Sequence, residues 1–193
     1  AVGETFHGLT INKSSGTLTF NNDALVEQSL TMTLGDVDVG SNRVTLGTST
    51  ASIGVLTYTT GAIIGEFERY VNATATDYLF PVGTTTADLL LTARFNSLTS
   101  GSLISNFTAS DPGDNGLIPL NDAGQDLHNT FTEGYWSLTP ANGMSSNDYD
   151  LDAIGNGFTS YTIDASTRLL TRANSAVDWT ADGSHENASG STA

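Results

Sequence analysis

Cysteine is absent from this chain, and lysine occurs once, at Lys13. The absence of cysteine excludes disulfide bonds and thiolate metal sites from the fold. Lysine and arginine together number 6 against 21 aspartates and glutamates, which gives a net charge of −15. A nucleic-acid-binding protein needs clusters of basic residues to neutralise phosphates, so the composition argues against nucleic-acid partners.

Long apolar runs and helical periodicity are also missing. No stretch approaches the roughly 20 consecutive apolar residues that a membrane-spanning helix needs, so we expect no membrane insertion. Charged residues make up 14% of the chain, and threonine, serine, asparagine and glycine take the positions that lysine and glutamate usually fill. Apart from one helical turn expected around residues 121–128, this composition favours strands and turns.

Short strand-like segments recur along residues 1–75, and their apolar residues alternate with threonine. They are LTI (9–11), LTF (18–20), LTMTL (30–34), VDV (37–39), VTL (44–46), VLTY (55–58) and AIIGEFERYV (62–71). The segments at 9 and 30 lie about one solenoid turn apart, as do those at 18 and 37, because solenoid turns commonly take on the order of 20 residues. We therefore predict a short parallel β-helix over residues 1–75. A β-meander of hairpins is the alternative.

From residue 76 onward the strand candidates become longer, and polar loops separate them. They are DYLFPVG (77–83), ADLLLTARFNSL (87–98), LISNFTA (103–109), GYWSLTP (134–140), YDLDAIG (149–155), YTIDAS (161–166) and RLLTRA (168–173). This pattern is typical of an antiparallel β-sandwich. The predicted fold is therefore all-β, with the parallel β-helix of residues 1–75 followed by an antiparallel β-sandwich over residues 76–193.

The segment GAIIGEFERYVNATATDYLFPVGTTT (61–86) resembles a signature of large secreted surface proteins of Bacteroidetes-type bacteria, which are commonly exported by type IX secretion. In those proteins threonine- and leucine-rich coils run into this segment and a sandwich follows it. GYWSL (134–138) and LLTRANSAVDWTADGSH (169–185) match parts of that sandwich. The resemblance implies an extracellular or cell-surface location.

The family's sandwich usually continues beyond the point at which this chain stops. We therefore expect the sandwich to lack its final strand. Either the chain is a fragment of a longer polypeptide, or another chain supplies that strand, since an unfilled sheet edge is a template for strand addition.

Two acidic segments place oxygen atoms at short intervals, as calcium-binding loops do. The candidate ligands are Asp111, Asp114 and Asn115 in SDPGDNG (110–116), and Asp148, Asp150 and Asp152 in NDYDLD (147–152). Calcium is the one cofactor that the sequence suggests. Ordinary turn and solvated strand residues are the alternative, because neither segment has the downstream glutamate of an EF-hand.

No catalytic motif is recognisable. His7, His128 and His185 lie far apart in the sequence and in no metal-binding spacing, and no nucleophile or nucleotide-binding motif is present. We therefore predict that the protein is not an enzyme. Longer β-helices do include polysaccharide-degrading enzymes, so a carbohydrate-active module stays an alternative.

The remaining conspicuous residues have structural interpretations. Trp136 and Trp179 are candidates for a sugar-stacking platform, but a core position for Trp136, with its N–H hydrogen-bonded internally, is favoured. Arg69 is predicted to pack or hydrogen-bond at the junction of the two predicted domains, in a structural role. In FPVG, Pro81 is expected to set the backbone and Gly83 to allow a sharp turn into the sandwich.

The predicted function is that of a non-enzymatic structural segment of a secreted or cell-surface protein, adhesin-like or fibre-forming. Its partners are expected to be other copies of itself or further domains of a longer chain, joined by coil stacking or strand donation. The alternative is a carbohydrate-binding or carbohydrate-active β-helix module, whose partners are surface glycans.

Overall fold

The structure is a computed structural model that describes residues 3–117 and 120–190. It consists of strands, turns and loops, and within those two ranges there is no helix that could cross a membrane. The strands in chain order are β1 (Glu4–Asn12), β2 (Leu18–Thr19), β3 (Ala24–Leu34), β4 (Val37–Leu46), β5 (Val55–Tyr58), β6 (Ile63–Val71), β7 (Asp77–Phe80), β8 (Gly83–Thr84), β9 (Ala87–Asp88), β10 (Leu91–Phe95), β11 (Gly101–Thr108), β12 (Asn121–Asp122), β13 (Gln125–Asp126), β14 (Tyr135–Ala141) and β15 (Tyr149–Ala153).

Strands β1 to β6 wind into a parallel β-solenoid of about three turns with three faces. The first face stacks residues 4–6, 24–26, 44–46 and 67–69. The second face stacks residues 9–11, 30–32 and 56–58. The third face stacks residues 18–19, 37–38 and 63–64. The predicted parallel β-helix is therefore confirmed, and Leu9 pairs with Leu30 one turn away, as the sequence repeat indicated.

The solenoid core consists of apolar columns that run from turn to turn. Successive strand residues point to opposite sides, so one set of alternate residues points inward. Val26 and Leu46 form one such column and are completely buried, and Met32 is completely buried on the second face. Burying a side chain of this size contributes roughly 1.5–3 kcal/mol. The columns therefore hold the turns together.

The corner between the second and third faces depends on glycine. Gly35 and Gly61 have φ angles of +95° and +99°, which side-chain-bearing residues rarely adopt. A Cβ atom on Gly61 would lie 2.2 Å from the carbonyl oxygen of Gly35, and one on Gly35 would lie 2.5 Å from that of Lys13. Consecutive corners are thus in direct backbone contact.

Antiparallel sheets follow the solenoid, as predicted for an all-β fold of this type. Strand β6 pairs parallel with β4 along one edge and antiparallel with β11 along the other, and β14 lies next to β11. Strands β15, β10 and β7 form a second antiparallel sheet in that order. Phe67 on β6 packs edge-on against Phe80 on β7 at 6.0 Å between ring centres, so the two sheets share a core.

The FPVG segment continues the solenoid before it enters the antiparallel part. Val82 forms a parallel bridge with Ile63, and the Pro81 carbonyl accepts a hydrogen bond from the Ile63 amide at 2.7 Å. The segment thereby adds one more level to the third face. Glycine is required at position 83 because the backbone of Ala87 approaches closely, and not because of a positive φ angle. A Cβ atom there would lie 2.3 Å from the carbonyl oxygen of Ala87.

The described residues divide into two compact units. Residues 3–108 and 136–154 form the first unit, which holds the solenoid and both antiparallel sheets described above. Residues 109–117, 120–135 and 155–190 belong to the second unit. This division does not coincide with the boundary predicted at residue 75, because β6 belongs both to the parallel ladder and to the antiparallel sheet.

Loops make up most of the second unit. The predicted helical turn at 121–128 is wrong: β12 and β13 form a hairpin there, with positive φ angles at Ala123 and Gly124. The predicted strands at 161–166 and 168–173 are also wrong. Asp164 accepts a hydrogen bond from the Ser166 amide, and Arg168 donates to nearby carbonyls. These local side chains occupy backbone groups that would otherwise be free to form β-sheet hydrogen bonds.

Candidate functional site

Glu68 on β6 is a buried carboxylate at the centre of a hydrogen-bonded cluster, with 6% of its surface exposed. Its Oε2 atom accepts a hydrogen bond from Arg43 Nη1 at 3.0 Å. Its Oε1 atom accepts hydrogen bonds from Ser102 Oγ at 2.5 Å and from Asn142 Nδ2 at 3.0 Å. A buried charge is tolerated when it is paired and hydrogen-bonded, and both conditions are met here. The cluster joins the solenoid to the antiparallel strands.

Arg43 is engaged by two carboxylates. Its Nε and Nη2 atoms donate to Glu66 Oε2 at 2.8 and 2.6 Å, in addition to the contact with Glu68. Burial opposes the charge on Arg43, but the hydrogen bonds to Glu66 and Glu68 outweigh burial and raise the pKa of Arg43. A cavity of about 320 Å³ beside Arg43 is lined by Asp23, Ser41, Asn42, Arg43, Thr45 and Glu66. Because the one cation in this lining is already paired, the cavity offers an anionic ligand no free positive charge.

Asp88 binds the last corner of the solenoid in the same way. Its Oδ2 atom accepts hydrogen bonds from Tyr58 Oη at 2.9 Å, Thr60 Oγ1 at 3.0 Å and the Gly61 amide at 3.1 Å. Burial, together with the hydrogen bond to Asp88, raises the pKa of Tyr58. The carboxylate is therefore a structural clamp on the last corner of the solenoid.

Arg69 is buried in the inward column next to Leu46, with 7% of its surface exposed. Its Nη1 atom donates to the carbonyl oxygen of Leu79 at 2.9 Å, and its guanidinium lies 5.2 Å from the ring centre of Tyr78. Burial lowers the pKa of Arg69 to about 10, with a small opposing contribution from Tyr78, so Arg69 stays charged at neutral pH. These contacts agree with the structural role that the sequence suggested.

The first group of calcium candidates lies in the second unit, and each side chain there binds backbone. Asp111 Oδ1 accepts a hydrogen bond from the Gly113 amide at 2.8 Å. Asp114 Oδ1 accepts from the amide and the hydroxyl of Thr130 at 2.6 and 2.8 Å. Asn115 Nδ2 donates to the Ser175 carbonyl at 3.4 Å. These bonds link each of the three side chains to other residues of the second unit.

The second group of calcium candidates lies at and beside β15 in the first unit, and its side chains are exposed: Asp148, Asp150 and Asp152. Asn96 Nδ2 donates to Asp148 and, at 3.4 Å, to Asp150. Among the residues that the structure describes, no three histidine, cysteine, aspartate or glutamate side chains are grouped to hold a metal ion. Calcium binding therefore stays a prediction without support from side-chain geometry.

Both tryptophans have internal hydrogen bonds. Trp136 Nε1 donates to the Leu89 carbonyl at 2.8 Å, and its ring centre lies 5.2 Å from that of Phe107. Trp179 Nε1 donates to a backbone carbonyl at 2.8 Å, and Arg172 lies 4.1 Å from the centre of its ring. The internal position favoured for Trp136 is therefore observed, and the ring face of Trp179 that Arg172 covers is not available for sugar stacking.

Glu133 holds a loop of the second unit through its carboxylate. Its Oε1 atom accepts hydrogen bonds from the amides of Thr159 and Ser160, both at 2.6 Å, and its Oε2 atom accepts one from Ser160 Oγ at 2.6 Å. Burial alone would raise the pKa of Glu133. The hydrogen bonds from Ser160 and Thr159 outweigh burial and lower the pKa to about 2.

The lowered pKa of Glu133 predicts acid sensitivity of this loop. Because the folded state binds the proton less tightly than the unfolded chain, the stabilisation is present above the ordinary pKa near 4.5 and is lost as the pH falls towards 2. We expect Glu133→Gln to flatten the pH dependence of urea unfolding between about pH 5 and about pH 3. Glu186→Gln, at an exposed glutamate of the same unit, is the control. An unchanged pH dependence in Glu133→Gln would contradict this assignment.

The outward side of the second face is an uncharged surface. Thr10, Thr31 and Thr57 pair in register across its strands. By alternation, the outward positions of its three strands are Gly8, Thr10, Asn12, Ser29, Thr31, Thr33, Val55, Thr57 and Thr59. The threonine pairs 31/33 and 57/59 therefore align, whereas Thr19 pairs with Asp38 on the third face.

The first turn of the solenoid ends in an apolar surface, which we call the open end. Four of its inward side chains are half-buried, namely Phe6, Leu9, Leu18 and Phe20, whereas Ile11 is buried and Glu4, in register with Ala24, is exposed. The inward side chains stacked against them in the second turn are almost completely buried, namely Val26, Leu30, Val37 and Val39. In the described part of the chain, β1 pairs only with β3 and β2 only with β4, so each has one edge without a partner strand.

Sequence reasoning missed the buried polar clusters. Asn142 and Glu68 are 74 positions apart, and Asp88 and Tyr58 are 30 apart. Only the alternation in EFER suggests that Glu68 shares a strand face with Glu66, and no local pattern shows which distant residues will meet it.

No family model matches the chain, and neither a curated protein nor a solved structure matches it.

Proposed function

We propose that this chain is a structural segment of a secreted or cell-surface protein, in which the solenoid serves as a stiff, passive element. The acidic composition and the resemblance of residues 61–86 to type IX secretion substrates support an extracellular location. In this role the protein performs no chemistry. It positions further domains or other copies of itself.

The observation that carries the proposal is the inter-turn ladder of the first face, in which residues 4–6, 24–26, 44–46 and 67–69 pair in register. Parallel ladders of this kind give quasi-one-dimensional rods, in which each turn is stabilised by its neighbours. The conspicuous charged residues of the first unit serve the same end: Glu68 is bound by Ser102 and Arg43, and Asp88 by Tyr58. The hydrogen bonds of these two carboxylates stabilise the solenoid.

Two measurements test the proposal. Native-state hydrogen exchange is expected to show amides of residues 24–71 opening together in the global unfolding reaction, as a stiff cooperative element requires. Antibodies against the folded chain are expected to label intact producing cells. Solenoid turns that open one at a time well below the global free energy, or labelling only after permeabilisation, would contradict the proposal.

A carbohydrate-binding role is the second candidate, and one observation in the second unit favours it. Tyr161 is 42% exposed and packs T-shaped against Phe131 at 5.7 Å between ring centres. An exposed, supported aromatic ring is suited to stacking on a sugar. Glycan-array binding that Tyr161→Ala abolishes and Tyr149→Ala, at an exposed tyrosine of the first unit, leaves intact would favour this role over the structural one.

A further inference from the structure

Three groups that can react with one another meet in the buried cluster around Glu68. Ser102 Oγ lies 2.5 Å from Glu68 Oε1, and Asn142 Nδ2 lies 2.8 Å from Ser102 Oγ and 3.0 Å from the same carboxylate oxygen. Ser102 is completely buried and Glu68 is 6% exposed. A hydroxyl, a carboxylate and a carboxamide in mutual contact are a nucleophile, a base and an acyl group with an amine leaving group.

The directions of these hydrogen bonds suit acyl transfer. A carboxylate only accepts hydrogen bonds, so the hydroxyl of Ser102 donates to Glu68 and its lone pair accepts from the amide of Asn142. Oε1 of Glu68 also accepts from that amide, whereas Arg43 binds the other carboxylate oxygen. One carboxylate oxygen is therefore within hydrogen-bond distance of the hydroxyl that loses a proton and of the nitrogen that receives it.

The backbone holds the hydroxyl and the carboxamide close together. Thr99, before β11, and Ser145, after β14, form an antiparallel bridge with hydrogen bonds of 2.8 and 3.2 Å. Next to this bridge, a Cβ atom on Gly101 would lie 2.3 Å from the Met144 amide nitrogen, so the two backbones are in contact. Groups held in this way react within one molecule, and only a short side-chain rotation separates them from reaction.

We propose that the folded chain forms an ester bond between Ser102 and Asn142. Rotation of the Asn142 carboxamide about its Cβ–Cγ bond, a soft torsion, turns Cγ towards Ser102 Oγ. The Oγ–Cγ bond forms and the Cγ–Nδ2 bond breaks. The hydroxyl proton passes through Glu68 Oε1 to Nδ2, which leaves as ammonia. The carboxylate of Glu68 is regenerated, and no oxidant or other reactant is needed.

The ester serves the structural role proposed above as a covalent staple. It joins the start of β11 to the turn after β14, in a chain whose lack of cysteine excludes disulfide bonds. Burial of Ser102 and Glu68 keeps water from competing as the nucleophile, while the exposed position of Asn142 lets ammonia leave. The hydrogen-bonded cluster is the unreacted state, because the three groups meet only in the folded chain. The reaction is a single self-modification without an external substrate.

Mass spectrometry of the folded 193-residue chain tests the ester. We expect the intact mass to fall by that of one ammonia as the folded chain ages, and proteolysis to yield a branched peptide that contains residues 102 and 142. Ammonia loss is expected to be at least about tenfold faster than in Ser102→Ala, which lacks the nucleophile. Glu68→Gln, which lacks the base, is expected to slow the reaction at least about tenfold.

Ser105→Ala is the matched control, because Ser105 is another completely buried serine on β11. It is expected to form the ester like the wild type. Asparagine–glycine pairs also lose ammonia, through attack by the glycine nitrogen, and the chain has three such pairs, at Asn115, Asn142 and Asn156. That reaction does not need Ser102 and gives no branched peptide, so Ser102→Ala and the peptide analysis distinguish it from the ester.

Urea unfolding of each variant establishes that it is folded. A wild-type chain that keeps its full mass overturns the ester, and so does ammonia loss that is equally fast in Ser102→Ala. Neither result bears on the solenoid itself. Cooperative exchange over residues 24–71 in a chain without the ester leaves the structural role standing.

Discussion

Glu68→Ala is expected to lower the free energy of unfolding by about 3–5 kcal/mol, the range for removing one partner of a buried ion pair. The loss leaves the hydroxyl of Ser102, which is completely buried, without its carboxylate acceptor, whereas the amide of the exposed Asn142 keeps its hydrogen bond to Ser102. It also removes one of the two carboxylates that bind Arg43. Each buried polar group left unsatisfied costs about 1–3 kcal/mol. Urea unfolding monitored by circular dichroism measures the change.

Glu66→Ala is the matched control, because Glu66 binds the same arginine from a more exposed position. The side chain of Glu66 is 47% exposed against 8% for Glu68. Exposed ion pairs contribute at most about 1 kcal/mol, so we expect a change of that size in this variant. Equal losses in the two variants would show that the interaction with Arg43 dominates, contrary to the buried-cluster account. Glu68→Gln, which keeps the shape and one carbonyl oxygen, is expected to lie between them.

The solenoid was predictable because its determinants are local and repeat along the chain. Apolar residues alternate with threonine, and the repeat that brings Leu9 beside Leu30 also brings Leu18 beside Val37. A pattern of period two with a repeat of about 20 residues leaves few other ways to bury the apolar side. The sequence did not predict that Val82 pairs with Ile63 on the third face, because FPVG lies outside the repeat that defines the earlier turns.

The antiparallel part was predictable as a class and much less so in detail. Strand β10 pairs with both β7 and β15, and β15 is more than 50 residues away in sequence, so no local pattern specifies the pairing. The apolar residues of RLLTRA suggested a strand. Arg168 instead donates to Asp122 at 2.7 Å and to the carbonyls beside it, contacts that a linear sequence does not show.

Which polar residues become buried was the least predictable feature of the structure. Glu68 and Glu66 have the same side chain two positions apart on one strand. Their different burial follows from Asn142 and Ser102 covering one of them. The sequence indicates which residues share a face, but tertiary contacts decide which of them becomes part of the core.

Gly61→Ala is expected to destabilise the protein by about 4 kcal/mol or more, the range reserved for a few severe mechanisms. Two costs add at this corner. The φ angle of +99° lies outside the regions that alanine adopts readily, which costs about 1–3 kcal/mol. The new Cβ atom would also lie 2.2 Å from the carbonyl oxygen of Gly35, a backbone atom that cannot rotate away. The two turns would have to separate, with loss of the hydrogen bond from the Gly61 amide to Asp88.

Gly40→Ala separates the two costs. Gly40 also has a positive φ angle, +54°, but a Cβ atom there meets nothing within 4 Å. Its substitution should therefore cost only the left-handed backbone conformation, about 1–2 kcal/mol. The comparison of the two variants by urea unfolding isolates the inter-turn contact at the corner. If Gly61→Ala is no more harmful than Gly40→Ala, the turns are not in tight register at this corner. The close stacking from which the stiffness of the solenoid was inferred would then be absent.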